Sequence, residues 1–320
     1  MSGSVGRFMK RIPKVLLTTF KSFSEDKGLK LSAALAYYTV FAMGPLLLLL
    51  ISVVGFIYGK DATEGKVFNE LNGLLGNSAA AQIQEIIKNI ELSGQTNFAL
   101  VISIVTLIIG ATSVFIEIQD SINMVWKLKT KPKRGWVQFL KNRLISSSLI
   151  ISLGFLLVVS LIVNGVIEAA VSLLSKRFSE MTQYLMIGVN YLFTFIVIMT
   201  LFAIIFKFLP DAKIRWKHVR SGAIFTAILF MIGRYLIGLY ITKTGTESTY
   251  GAAGSIVIIL VWIYYSAVIL YLGAEFTQVY TAATGGRIEP AGYAVQIEQR
   301  EIEREGASLP VENKHLKREN

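Results

Sequence analysis

Apolar residues along this chain come in runs too long and too uniform for the two-faced helices of a water-soluble protein. Residues 31–58, 144–167, 183–206 and 251–274 contain no Asp, Glu, Lys or Arg. Residues 98–116 are also charge-free and end against Glu117 and Asp120, and residues 221–242 hold a single charge, Arg234. A helix rises about 1.5 Å per residue, so roughly 20 apolar residues cross the roughly 30 Å hydrocarbon layer. Each run is long enough, and the pattern predicts an all-α, polytopic membrane protein with six transmembrane helices.

Between the runs the pattern becomes amphipathic. Val67, Phe68, Leu71, Leu74 and Leu75 form one stripe, and Ile83, Ile86, Ile87 and Ile90 form another beyond Gly76-Asn77-Ser78. Two short extramembrane helices joined by a turn fit that spacing. Val171, Leu174, Phe178 and Met181 repeat it in a third stretch. Ahead of the first span, Phe8, Ile12, Val15, Leu16, Thr19 and Phe23 recur at helical spacing among Lys10, Arg11, Lys14 and Lys21. This predicts a helix that starts at Pro13 and either lies on the membrane surface or simply flanks the first span.

Three segments follow: a basic amphipathic segment 1–30, a six-helix membrane domain 31–284 and a charged tail 285–320. Glu298, Glu301, Glu303 and Glu305 mix with Arg300, Arg304, Lys314 and Lys317 in that tail, which predicts a disordered extension with too little apolar surface to fold alone.

Composition sharpens the membrane reading. Hydrophobic residues make up 53% of the chain and mean hydropathy is +0.56, so there are too few polar positions to face six helices with water. The absence of cysteine excludes disulfides, thiol nucleophiles and thiolate metal sites. A net charge of +11 would raise nucleic acid as a partner in a soluble protein, but its placement says otherwise. Segments 1–30, 124–143, 207–220 and 281–320 carry seven, seven, five and six Lys/Arg, whereas 59–97, 168–182 and 243–250 carry three, two and one. Basic loops resist translocation, so the rich side is expected in the cytoplasm together with both termini. The expected partners are the bilayer and its anionic lipids, with no specific nucleic acid. The first apolar run exceeds the roughly 7–15 residues of a cleavable signal core and is expected to stay as an anchor.

Arg234 is the most informative single residue. It lies thirteen residues into its run, roughly 20 Å deep, where an arginine costs about 2.5–3.5 kcal/mol unless it faces partners or a wet cavity. Asn190 falls at a similar depth in the preceding run. A structural role with Asn190 and backbone carbonyls and a role in holding an anionic ligand are both open. Glu117, Gln119, Asp120 and Glu275 form a second group, near the basic rim of Lys127, Lys129, Lys213 and Arg215. Interfacial salt bridges and a proton or cation relay both suit it. Gly44-Pro45 predicts a kink in the first span, which serves either packing or a site. Tyr250-Gly251-Ala252-Ala253-Gly254-Ser255 opens the sixth with small residues that let backbones approach closely. His218 and His315 lie outside the spans, and no nucleophile elbow, phosphate-binding glycine loop or metal-ligand cluster is visible, so neither catalysis nor a cofactor or metal is expected.

Ala33-Ala34-Leu35-Ala36-Tyr37-Tyr38-Thr39-Val40-Phe41, running into Gly44-Pro45-Leu46-Leu47, resembles the opening signature of the YihY/BrkB family. Ile122-Asn123 with Trp126, Leu209-Pro210 with Trp216 and Gly222, and residues 250–255 through Trp262-Ile263-Tyr264-Tyr265 to Gly273-Ala274-Glu275-Phe276 resemble the rest of its pattern. The resemblance covers about residues 20–285. It implies a six-span protein of the bacterial inner membrane, in a family labelled as virulence or serum-resistance factors and also as ribonuclease BN. The residues argue against RNA hydrolysis, which needs a metal-binding cluster or an acid-base pair in water. Two functions are expected to compete: a transporter or lipid and envelope-precursor handling protein built around Arg234, and a non-catalytic scaffold for envelope proteins.

Overall fold

The computed structural model describes residues 12–42, 97–131, 181–244 and 252–298. In chain order these form helices α1 (Ile12–Glu25) and α2 (residues 28–42), then α3 (Asn97–Val125) and the short strand β1 (Leu128–Thr130). Helix α4 (Met181–Phe208), strand β2 (Ala212–Lys213) and helices α5 (Trp216–Thr244) and α6 (Ala252–Ala283) come next, followed by strands β3 (Glu289–Pro290) and β4 (Ala294–Gln296).

Among the described residues, three stretches are long and apolar enough to cross a membrane: Gly188–Phe208, Trp216–Ile237 and Ile259–Ala283. They coincide with the predicted fourth, fifth and sixth runs. The predicted second run lies in α3, and α2 holds the start of the first. The predicted third run, the kink at Gly44-Pro45 and the two amphipathic helices expected within 59–96 lie outside the described residues.

Helix α5 shows which solvent the bundle is built for. It buries Gly222, Ala223, Thr226, Ala227 and Gly233 and exposes Ile224, Ile228, Ile232, Leu236 and Leu239. A water-soluble helix does the reverse. Where hydrocarbon surrounds the bundle, large side chains gain nothing by hiding, and small ones let backbones come close. Helix α6 is the hub, packing against α5, α3 and α1, while α4 packs on α5. Between residues 267 and 277 it is buried almost all round.

Helix α1 forms because Val15, Thr19 and Phe23 recur every four residues, and Pro13 sits in the first turn, where its missing N–H is not needed. That stripe is buried and α1 packs on α6, so its inner face is spent on protein. Leu17 and Phe20, with Lys14 and Lys21, remain on the outer face. Helices α1 and α3 are both followed by a lysine in the left-handed region, Lys27 at φ 57° and Lys127 at φ 55°. Each closes its helix in the position usually held by glycine.

One end of the bundle carries a small β cap. Strand β1 pairs antiparallel with β4, Thr130 opposite Ala294, and β2 pairs antiparallel with β3, Ala212 opposite Pro290. The chain after α6 therefore folds back across the ends of α3 and α4. This corrects the expectation of a disordered tail for residues 285–298. Ile288 packs against the core and Ala294 is buried there, and the loop backbones left open after α3 and α4 supply ladder partners that the tail lacks alone. Residues 299–320 lie outside the described residues.

Candidate functional site

Asp211 organises the cap. Its carboxylate, 2% exposed, accepts hydrogen bonds from Gln119 Nε2, Asn123 Nδ2 and Thr130 Oγ1, each at 2.9 Å. Its own backbone N–H donates to Asn123 Oδ1 at 2.9 Å, and its carbonyl accepts from the Ala291 N–H. One side chain thus ties α3, β1 and the returning tail to the α4–β2 loop. Neutral donors stabilise a buried carboxylate by about 1.5–3 kcal/mol each, enough to offset its removal from water without a cation. Tyr293 lies against the same carboxylate. Burial and then the Asp211 charge push its phenol up to about 12. Asp211 carried no sequence signal of its own, since an acid between Pro210 and Ala212 looks like an ordinary loop residue.

A second polar group runs along the α3–α6 seam. Trp126 Nε1 donates to the Ala274 carbonyl at 3.0 Å and locks the two helices in register. Ser121 Oγ donates to Glu117 Oε1 at 3.3 Å and also neighbours the Tyr271 hydroxyl, which is fully buried and makes no hydrogen bond of ordinary geometry. One turn further along α6, Glu275 is 0% exposed, and neither of its carboxyl oxygens has a partner of ordinary hydrogen-bond geometry. Its electrostatic neighbours are Asp26, from the α1–α2 turn, and Lys127, from the end of α3. Lys127 and Asp26 form an ion pair with each other.

Of the acids singled out in the sequence, Glu117 and Asp120 are both electrostatic neighbours of Tyr271, one turn from Glu275 on α6; Asp120 is the more exposed of the two and also neighbours Asp211. Lys127 meets Asp26, an acid that no local pattern singles out because its partner lies about a hundred residues away.

Arg234 lies on α5, half-buried, with Tyr191 of α4 as its electrostatic neighbour. Asn190 is on the exposed face of α4 beside Tyr191, and Tyr235 is exposed next to Arg234. Across the α4–α5 seam it is Arg234 and Tyr191 that meet, while Leu192, Ile232 and Leu236 are exposed nearby in the chain. Gly254 lies in the first turn of α6. Gly44, Pro45, Tyr250 and Gly251 lie outside the described residues.

A helical bundle that exposes its large aliphatics, buries its small residues and, among its described residues, contains three membrane-length helices is an integral membrane protein of several spans. The family model described as "Virulence factor BrkB" matches residues 19–297, and the chain belongs to that family. Curated relatives include a UPF0761 membrane protein of Azotobacter vinelandii, 26% identical over 276 residues, covering 85% of this chain and 64% of that protein. A UPF0761 membrane protein of Psychromonas ingrahamii is 28% identical over 267 residues, covering 79% of this chain and 83% of its own. The chain spans 59% of the Pseudomonas aeruginosa relative, to which it is 26% identical. No solved structure matches. Among the residues that carried the resemblance, Asn123 binds Asp211, Trp126 binds α6, and Leu209 and Pro210 are buried.

Proposed function

We propose that the protein is a carrier of the bacterial inner membrane, not an enzyme, that handles an anionic lipid or envelope precursor, with both termini and the β cap in the cytoplasm. The observation that supports this most is Arg234, a half-buried cation inside the membrane-length stretch Trp216–Ile237 and set beside Tyr191. A guanidinium holds a phosphate through two parallel hydrogen bonds, and the surrounding aliphatic and aromatic side chains suit acyl chains. Asn190, Tyr191 and Tyr235 supply further polar tips at the same level, which matches an amphiphile better than a fully polar solute. Intramembrane charges are expensive and mark binding or transport pathways more often than they stabilise.

The test is native mass spectrometry of gently extracted protein, with flux measured in vesicles. Wild type should retain a phosphorylated lipid. Arg234→Gln should lose most of it, and Arg234→Lys should keep a fraction, because an ammonium retains the charge without the planar fork. Unchanged retention and flux in Arg234→Gln at equal protein level would remove this reading. A stoichiometric protein partner with no retained lipid would support a scaffold instead.

A further inference from the structure

Glu275 is the most anomalous side chain among the described residues. A carboxyl with no exposed surface and no hydrogen bond of ordinary geometry sits beside a second carboxyl, Asp26, and the single ammonium of Lys127. Glu25, next in the chain to Asp26, adds a further negative charge from the end of α1. If both Asp26 and Glu275 were ionised, one ammonium would leave an uncompensated negative charge in a buried place, at a cost of several kcal/mol. Two carboxyls holding one proton between them remove that charge. Tyr271, one turn away on α6 with its own hydroxyl unmatched, leads from Glu275 toward Ser121, Glu117 and Asp120 on α3. Among the described residues no three acids or histidines converge as a metal cage would require, so the geometry favours a proton over a metal ion.

We propose that Glu275 and Asp26 form an exchangeable proton site whose occupancy sets how tightly the α1–α2 turn docks on α6. With the proton present, the two carboxyls tolerate each other and Lys127 stays on Asp26. Release breaks one carboxyl O–H bond, leaves its electron pair on the carboxylate, and passes the proton to water at the partly exposed Lys127 edge. Two carboxylates then repel and compete for Lys127, which loosens the turn from the hub helix. Lys127 reaches this position from a left-handed backbone, φ 55°, at the end of α3. This inference rests on the carrier reading for its purpose: the site would be where proton movement is coupled to cargo.

Infrared difference spectroscopy of the full chain in lipid nanodiscs tests it directly. Wild type should show a protonated-carboxyl C=O band that vanishes reversibly as pH rises. Glu275→Gln should abolish the band, while Asp26→Asn and Lys127→Gln should move its titration midpoint, in opposite directions because they remove opposite charges. Exchange of potassium for sodium at constant pH should leave it unchanged. A band that survives Glu275→Gln, a site that stays a carboxylate at every pH, or displacement of the band by sodium would each overturn the proposal. Where Glu275→Gln does not fold, Glu275→Asp serves, and a midpoint identical to that of wild type would count against Glu275. Vesicle flux separates this from the carrier reading: Glu275→Gln should make flux independent of pH, whereas Arg234→Gln should abolish it at every pH and leave the infrared band in place.

Discussion

Asp211 and Tyr293 show how much a single buried acid governs. Replacing the carboxylate with an amide turns one acceptor oxygen into a donor facing Gln119, Asn123 and Thr130, so at least one donor is left unmatched. Asp211→Asn should cost on the order of 3 kcal/mol of stability, measured as a lower unfolding midpoint in detergent. Tyr293 makes a separate prediction. Its phenol is raised from 10.0 to about 12 in the folded chain, so its contribution is whole below pH 10 and lost as pH climbs toward about 12. Tyr293→Phe should therefore flatten the alkaline loss of stability in that window, and equal alkaline profiles for the two proteins would refute the assignment. Neither residue was legible beforehand. Their importance comes from partners on other elements, and no local pattern encodes those.

The α5–α6 pair illustrates the element scale. Gly222 faces Thr277 and Gly273 faces Thr226, so a Cβ at either glycine would overlap the facing threonine. Both threonines turn their hydroxyls back onto their own helix, Thr226 to the Gly222 carbonyl and Thr277 to the Gly273 carbonyl, each at 2.7 Å. The result is a reciprocal crossing in which each helix presents a glycine and a threonine four residues apart. Phe225 and Phe276 stack beside it at 4.1 Å between centroids. Gly222→Leu should destabilise by roughly 1–3 kcal/mol through overpacking, whereas Ile228→Leu on the exposed face should stay within about 0.5 kcal/mol. Steric-trap unfolding in bicelles measures both. Small residues in the sixth run were visible in the sequence, but which of them meet a partner was not. Gly222 and Thr277 are fifty-five positions apart, and only the crossing of the two helices puts them face to face.

For the whole molecule, the cap joins ends that the chain leaves far apart. The Lys131 N–H donates to the Tyr293 carbonyl, the Ile297 N–H to the Lys127 carbonyl and the Ala291 N–H to the Asp211 carbonyl, so the returning tail bonds to the segments after α3 and α4 alike. Truncation after residue 286 should lower the unfolding midpoint more than Asp211→Asn does, because it removes both strand ladders and uncovers the buried carboxylate together. A truncated protein as stable as the full chain would show that the cap carries little of the fold. Gly286 marks the start of the return: a Cβ there would press on the His218 ring, so the first step off α6 passes too close to α5 for a larger residue.

Membrane residence, helical class and the positions of the three membrane-length helices among the described residues were determined by the sequence alone. Hydrocarbon imposes one rule on every spanning segment, and a local count of apolar residues detects it. The amphipathic helix from Pro13 was equally legible, because its apolar stripe recurs every four residues. That this stripe docks on α6, that the tail past residue 285 becomes strands, and that Asp211, Asp26 and Lys127 form the polar centres were decided only by tertiary structure. Their meaning lies in hydrogen bonds and ion pairs between segments about eighty to a hundred residues apart. Burial gives such contacts their energy, and a residue's burial depends on which other segments come to lie against it.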